Sequence, residues 1–273
     1  MQRIGFRLAL LAAIAFTVGA AAVSAQEVVF KDPVGDDKGP GTYTYPTDPV
    51  YKPGSFDLTE FKFAVKGDRA DVAVTVNSSL EDPWGMKVGF AVQMIFVFIQ
   101  TDDAAGRTTK GIPGLNVQFG PEDGWNRCII LSPQPSARVR GEVEIKAADL
   151  QKMIVIPNQV RGSGRTISAT VNMKDIGSGD PTKWGYQVVM QSNEGFPDKK
   201  DLLTRKVNEY EGQHRFGGGN DGDCDPHAMD ILAGNGTGDA SEVQAQYDML
   251  KYECNPDGSV KSMATLKMVH KKS

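Results

Sequence analysis

The chain has 273 residues, with 30 lysines and arginines against 34 aspartates and glutamates, a formal charge of −4 and a pI near 5.5. Hydrophobic residues at 40% and charged residues at 23% exclude a disordered or fibrous chain, and the mild acidity argues against a nucleic-acid binder, which needs a basic face. Thirty glycines and fifteen prolines call for many turns and argue against a long helical bundle.

Residues 1–25 read as a signal peptide. Arg3 and Arg7 supply the positive start, Leu8 to Ala22 the apolar run, and Val23-Ser24-Ala25 the small-residue cleavage site, so Gln26 opens the mature chain. An uncleaved anchor is the alternative, but the run is short for a membrane span. No cysteine follows the site to carry a lipid, and no later stretch has the apolar length of a span. The mature protein is expected to be soluble and secreted or periplasmic.

The first informative loop lies just beyond. Asp32, Asp36 and Asp37 crowd three carboxylates together, with Gly35, Gly39 and Gly41 allowing sharp turns. Clustered carboxylates repel one another unless a cation sits among them, and Ca²⁺ accepts many oxygen ligands in irregular loops. The reading is a structural calcium site completed by Asp57; an exposed acidic turn has the same composition.

Strand signals follow. Thr59–Val65 and Ala70–Val76 alternate apolar and polar residues around a Lys66-Gly67-Asp68-Arg69 turn, predicting a hairpin. Phe90–Ile99 is nearly all apolar and reads as a buried central strand. Further strands are expected at Leu115–Phe119, Asn126–Leu131, Arg138–Ile145, Met153–Ile156, Thr166–Met173, Tyr186–Gln191 and Ser259–Val269. Helices are expected at Asp198–Glu211 and at Ser241–Tyr252, the latter opened by a capping box of Asp239 and Glu242. The sum is an all-β fold, an antiparallel β-sandwich with one or two short peripheral helices, in one domain over 26–270.

Three tryptophans, Trp84, Trp125 and Trp184, sit beside glycines near strand ends, among carboxylates, amides and lysines. A flat ring covers the C–H face of a sugar while polar neighbours bind its hydroxyls. With Tyr43 and Tyr45 they are the candidate ligand-binding residues, against the plainer reading of core packing.

Near the end of the chain Asp221, Asp223 and Asp225 have the spacing that opens many calcium loops, but Pro226 stands where an EF-hand has glycine and Leu232 where it has glutamate. Cys224 and Cys254 lie in polar, turn-rich sequence and are expected to pair in an oxidising compartment; Cys128, in an apolar run, is expected as a small buried residue. Catalytic motifs are missing: no HExxH, GxSxG or GxxxxGK[ST] occurs, and the GxGxxG of Gly217–Gly222 neither follows a clear strand nor opens a helix. No catalytic residue is assigned and the chain is not expected to be an enzyme.

The run Asp32-Pro33-Val34-Gly35-Asp36-Asp37-Lys38-Gly39-Pro40-Gly41-Thr42-Tyr43-Thr44-Tyr45-Pro46 resembles the opening motif of the C-terminal module of glucodextranase. Phe56-Asp57-Leu58, Pro83-Trp84-Gly85, Pro113-Gly114-Leu115-Asn116, Trp184-Gly185-Tyr186, Phe216-Gly217-Gly218-Gly219 and Asp225-Pro226 with Asp230-Ile231-Leu232 follow in the order of that module, over about residues 28–250. The resemblance implies a β-sandwich related to DOMON domains and family 9 carbohydrate-binding modules, binding a glucan or cell-surface polysaccharide without catalysis, often beside a secreted glycoside hydrolase. Here the chain looks like a free-standing version. The resemblance also leaves two alternatives. One is a DOMON-type haem or redox module, although the ten methionines show no recognisable ligand spacing. The other is a surface-layer-like adhesion protein.

Overall fold

A computed structural model describes residues 26–272; the signal peptide expected at 1–25 lies outside them. Strands β1 (Glu27–Lys31), β2 (Leu58–Lys66) and β3 (Arg69–Val76) run side by side and continue through β9 (Thr166–Asn172) to β8 (Val160–Ser163), an antiparallel sheet in the order β1-β2-β3-β9-β8. Register follows from the alternation. Phe30 pairs with Phe61, Phe61 with Val74 and Val74 with Ile167, so one row of apolar side chains crosses the sheet on its inner face.

The second sheet is built on β4 (Gln93–Gln100) and β10 (Gly185–Ser192), paired over their full lengths. β6 (Arg127–Leu131) and then β7 (Ile154–Val155) extend it on one side; the short β11 (Asp230–Ile231) and β15 (Val269–His270) pair with opposite ends of β10 on the other. Ile95, Val97 and Ile99 of β4 meet the first sheet together with Tyr186, Val188 and Met190 of β10. Met94, Phe96 and Phe98 point the other way into a second core with Trp125, Leu202, Leu250 and Leu266. Both faces of β4 are therefore buried, which is why its sequence is continuously apolar instead of alternating. Full burial of each such side chain stabilises by about 1.5–3 kcal/mol. Two small pairs complete the strands: the parallel β5 (Val117–Phe119) with β14 (Ala264–Leu266), and β12 (Glu253–Cys254) with β13 (Val260–Ser262). The architecture is an all-β sandwich with short helices on the outer face of the second sheet.

Three expected elements are corrected. Ser259–Val269 is not one strand but β13, β14 and β15, which pair with β12, β5 and β10 in turn. Arg138–Ile145 is not a strand but lies in helix α1 (Ser136–Lys146). Val139 and Val143 are spaced equally well for a strand face or for one helix stripe, and it is the helical stripe that packs into the second core, leaving Ile145 80% exposed. Conversely, Asp198–Glu211 is irregular. Leu203 has a φ of 55°, and the backbone bonds across to other segments, Leu202 N–H to Pro113 (3.0 Å) and Arg205 N–H to Ser192 (3.2 Å). Tertiary pairing overrides the helical spacing of Leu202 and Val207. A four-residue α2 (Met173–Ile176) ends β9, and α3 (Glu242–Met249) occupies the second expected helix. Its capping box does not form: Glu242 instead accepts the N–H groups of Asn235 (2.7 Å), Thr237 (3.0 Å) and Gly238 (2.9 Å). Among the described residues no helix is long and apolar enough to cross a membrane.

Candidate metal centre and ligand surface

The acidic loop leaves β1 directly. Asp32 follows the last residue of β1, Asp57 precedes the first of β2, and Asp230 opens β11 of the other sheet. The edge of the sandwich thus brings together carboxylates from distant parts of the chain. The Leu58 N–H donates to Asp230 Oδ2 (2.7 Å), tying one sheet to the other, and the Ile231 N–H donates to Asp230 Oδ1 (2.8 Å). Ala233 N–H meets Asp32 Oδ1 (3.3 Å), while Gly35 N–H and the Asn77 amide both donate to Asp57 Oδ2 (2.9 and 3.0 Å).

Each of Asp32, Asp36, Asp57 and Asp230 is almost wholly buried. Ligand atoms of Asp32, Asp36 and Asp230 lie within 4.8 Å of one another. Asp32 Oδ2, Asp57 Oδ1 and both oxygens of Asp36 are buried without a hydrogen-bond partner. Burial first, then mutual repulsion, raises all four carboxyls: Asp36 to about 7, Asp57 to about 6, Asp32 and Asp230 well above the carboxylate range. Arg165 helps hold Asp57 charged, but no basic side chain does so for the other three. Leaving four carboxylate oxygens unpaired away from water is costly, and an all-oxygen donor set of this kind suits Ca²⁺. Asp37 sits beside the cluster with one oxygen taken by the Tyr45 hydroxyl.

The loop is held against the sandwich by α3 and by close packing. Gln246 accepts the Ile231 N–H (3.0 Å) and donates its amide to the carbonyls of Asp36 (2.6 Å) and Gly39 (3.3 Å). Gly39 has φ +56°, and a Cβ there would lie 2.2 Å from the Tyr43 ring, so glycine is required on both counts.

Asp221, Asp223 and Asp225 are not brought together in this way. Asp221 is exposed. Asp223 pairs with Lys206 (2.9 Å) and faces His227 (3.4 Å), and the His227 hydrogen bond and the lysine hold its carboxyl low. Asp225 is buried and accepts from Asn220 N–H (3.0 Å) and the Tyr252 hydroxyl (2.5 Å). Cys224 is crosslinked to Cys254, as expected, and Cys128 is fully buried. The glycines before this loop serve chain crossing: Gly218 has φ +85°, and a Cβ would meet the Thr42 carbonyl at 2.1 Å.

The aromatic candidates divide sharply. Trp125 and Trp184 are corrected from stacking platforms to core residues: Trp125 packs on Phe98 and Phe119 and donates to the Lys110 carbonyl (2.8 Å), and Trp184 packs on Phe63. Tyr43 is buried too, its hydroxyl bonded to the Pro226 carbonyl (2.9 Å). Half-buried Tyr45 packs edge-on against Phe56 and Phe216. Trp84 alone of the three tryptophans is exposed, at 38%, with its edge against Tyr51. Asp230 is the member of the carboxylate cluster that sequence reasoning missed. Its signal was its place in the Asp230-Ile231-Leu232 motif, but nothing in the spacing ties it to Asp32.

Residues 28–269 match the family described as the C-terminal binding module, SLH-like, of glucodextranase. The chain belongs to that family. The match takes in the whole acidic cluster, the Cys224–Cys254 crosslink and Trp84. No curated protein matches the chain. The family is one of binding modules, so the site is to be read for what it holds in place.

Proposed function

We propose that this chain is an exported, non-catalytic carbohydrate-binding module whose sandwich is pinned at one edge by a calcium ion. The membership in a family of glucodextranase binding modules carries the carbohydrate reading. The cation is supported by Asp36, whose two carboxylate oxygens are buried without a partner beside Asp32, Asp57 and Asp230. Calcium there would neutralise the repulsion between the carboxylates and hold β1 and β2 of one sheet to β11 of the other. Export is supported by the leader-like residues 1–25 and by a crosslink that suits an oxidising compartment. The partner is a glucan or another cell-surface polysaccharide, encountered alongside a secreted glycoside hydrolase.

Affinity electrophoresis against dextran, other soluble glucans and cell-wall polysaccharides, run with calcium and with chelator, tests this. Retardation by at least one polysaccharide is expected, without hydrolysis of it. Free migration through every gel, in protein shown to be folded, would overturn the carbohydrate reading.

A further inference from the structure

Of the residues expected to stack on a sugar, Trp125, Trp184 and Tyr43 are interior. A cleft of about 320 Å³ opens along the irregular segment 194–215, within the size range of small-ligand sites. At its rim Phe196 is 95% exposed, the most exposed large apolar side chain among the described residues. Its backbone is fixed nonetheless: Phe196 N–H donates to Glu194 (2.8 Å), and the Arg138 guanidinium donates to the Gly195 carbonyl. A ring held out into water on an anchored loop offers flat apolar area that the C–H face of a ligand would cover.

The polar lining fits a hydroxyl-rich ligand. Asp201 lines the cleft and is buried, its Oδ2 without a hydrogen bond but ion-paired at 3.7 Å with Lys206, which makes closer contacts to Asp198 and Asp223 (2.9 Å each). Asn208, half-buried, presents its side-chain amide in the lining. Arg215 uses its Nε on the Tyr210 carbonyl (2.9 Å), which leaves the outer guanidinium nitrogens for a ligand oxygen. The other cations are already matched: Arg205 is paired with Glu194 (2.7 Å) and covers the Tyr51 ring. The three carboxylates and three cations of the lining balance, so the cleft offers donors and acceptors without a net field for an acid or a base. The clefts beside Asn220 and Gly234 carry no aromatic side chain.

The geometry points to this cleft as the saccharide-binding site, taking a neutral pyranose whose C–H face lies on Phe196, with ring hydroxyls accepting from the outer nitrogens of Arg215 and bonding the Asn208 amide. Tyr51, itself buried, packs on both Trp84 (6.1 Å) and His214 of the cleft lining (5.8 Å), which places a second exposed ring, Trp84, one packed ring away from the cleft. This inference rests on the carbohydrate reading, and its test separates the two.

The test is affinity electrophoresis and calorimetry of the whole mature chain against dextran, soluble mannan and polygalacturonate, in calcium, with Phe196→Ala, Arg215→Ala and Trp84→Ala. Because Phe196 is solvated, its removal should leave the melting temperature unchanged while weakening binding of a neutral polysaccharide at least tenfold. Arg215→Ala should weaken it about threefold to tenfold, and Trp84→Ala should matter for polymer more than for short oligosaccharides. Wild-type binding that survives both Phe196→Ala and Arg215→Ala would overturn this site and leave the carbohydrate reading intact. Preference for polygalacturonate would overturn the neutral class. A wild-type chain that binds none of the three, nor any polysaccharide of the wider panel, would overturn the reading and this site with it.

Discussion

Two acid-rich, glycine-punctuated loops of this chain look alike in sequence and differ in what satisfies them. In the 32–37 loop the carboxylates turn inward, meet Asp57 and Asp230, and leave buried oxygens without donors. In the 221–225 loop they turn to separate partners, Lys206 and His227 for Asp223 and Asn220 and Tyr252 for Asp225, while Asp221 is exposed. The second loop is also fastened covalently through Cys224. Acid density therefore does not mark a cation site. What marks one is a shortage of protein donors and basic side chains around carboxylates that cannot reach solvent. One loop leaves buried carboxylate oxygens without protein donors, the other is closed by a crosslink.

That contrast can be broken experimentally, beginning with the crosslink. Replacing both Cys224 and Cys254 by serine opens a loop with a sequence separation of 30. The chain-entropy treatment puts the loss at about 3–4 kcal/mol, or on the order of 10 °C in Tm. Scanning fluorimetry should give the same drop with calcium and with chelator; a drop confined to one condition would mean that the two loops are coupled. Chelation of the wild type comes next. At calcium a hundredfold above Kd the ion stabilises by about 2.7 kcal/mol, so its removal should lower Tm by roughly 5–10 °C, and Asp36→Asn should abolish the difference.

The pH response sharpens the contrast further. Burial raises Asp36 to about 7 and Asp57 to about 6 in the folded, ion-free chain. The unfolded chain releases the same protons near pH 4. Folded values above unfolded ones mean that the stabilisation is complete below about pH 4 and is lost as pH rises through about 7. Urea unfolding in chelator should therefore show stability falling over that window, and saturating calcium should flatten or reverse the slope. The smallest effect is expected at Asp221: Asp221→Ala should change stability by no more than about 0.5 kcal/mol and leave the calcium response untouched.

How much of this was legible in the sequence depended on the range of the interaction concerned. The β2–β3 hairpin was readable because its alternation and its Lys66–Arg69 turn are local, and β4 because burial on both faces leaves a continuous apolar run. Val139 and Val143 misled because a spacing of four fits both periods, and only the exposed Ile145 distinguishes them. The 198–211 segment misled because its backbone partners, Pro113 and Ser192, lie outside it. Asp32, Asp36 and Asp37 were legible as a crowded group, with Asp57 as the residue that completes it. Asp230 was not, because it arrives through the pairing of β11 with β10. Trp125 and Trp184 were misplaced for a similar reason: neighbouring glycines suggested a surface, whereas the rings fill space against Phe98 and Phe63. Phe196 drew no notice, since a lone phenylalanine in a polar stretch gives no sign of pointing outward.

The central claim is that the carboxylates at the sandwich edge are completed by a cation. Calorimetric titration of calcium into chelator-stripped wild type, Asp36→Asn and Asp221→Ala tests it most directly. One calcium per chain is predicted for the wild type and for Asp221→Ala, and none for Asp36→Asn. A wild type that takes up no calcium, or uptake that survives Asp36→Asn and disappears in Asp221→Ala, would contradict it.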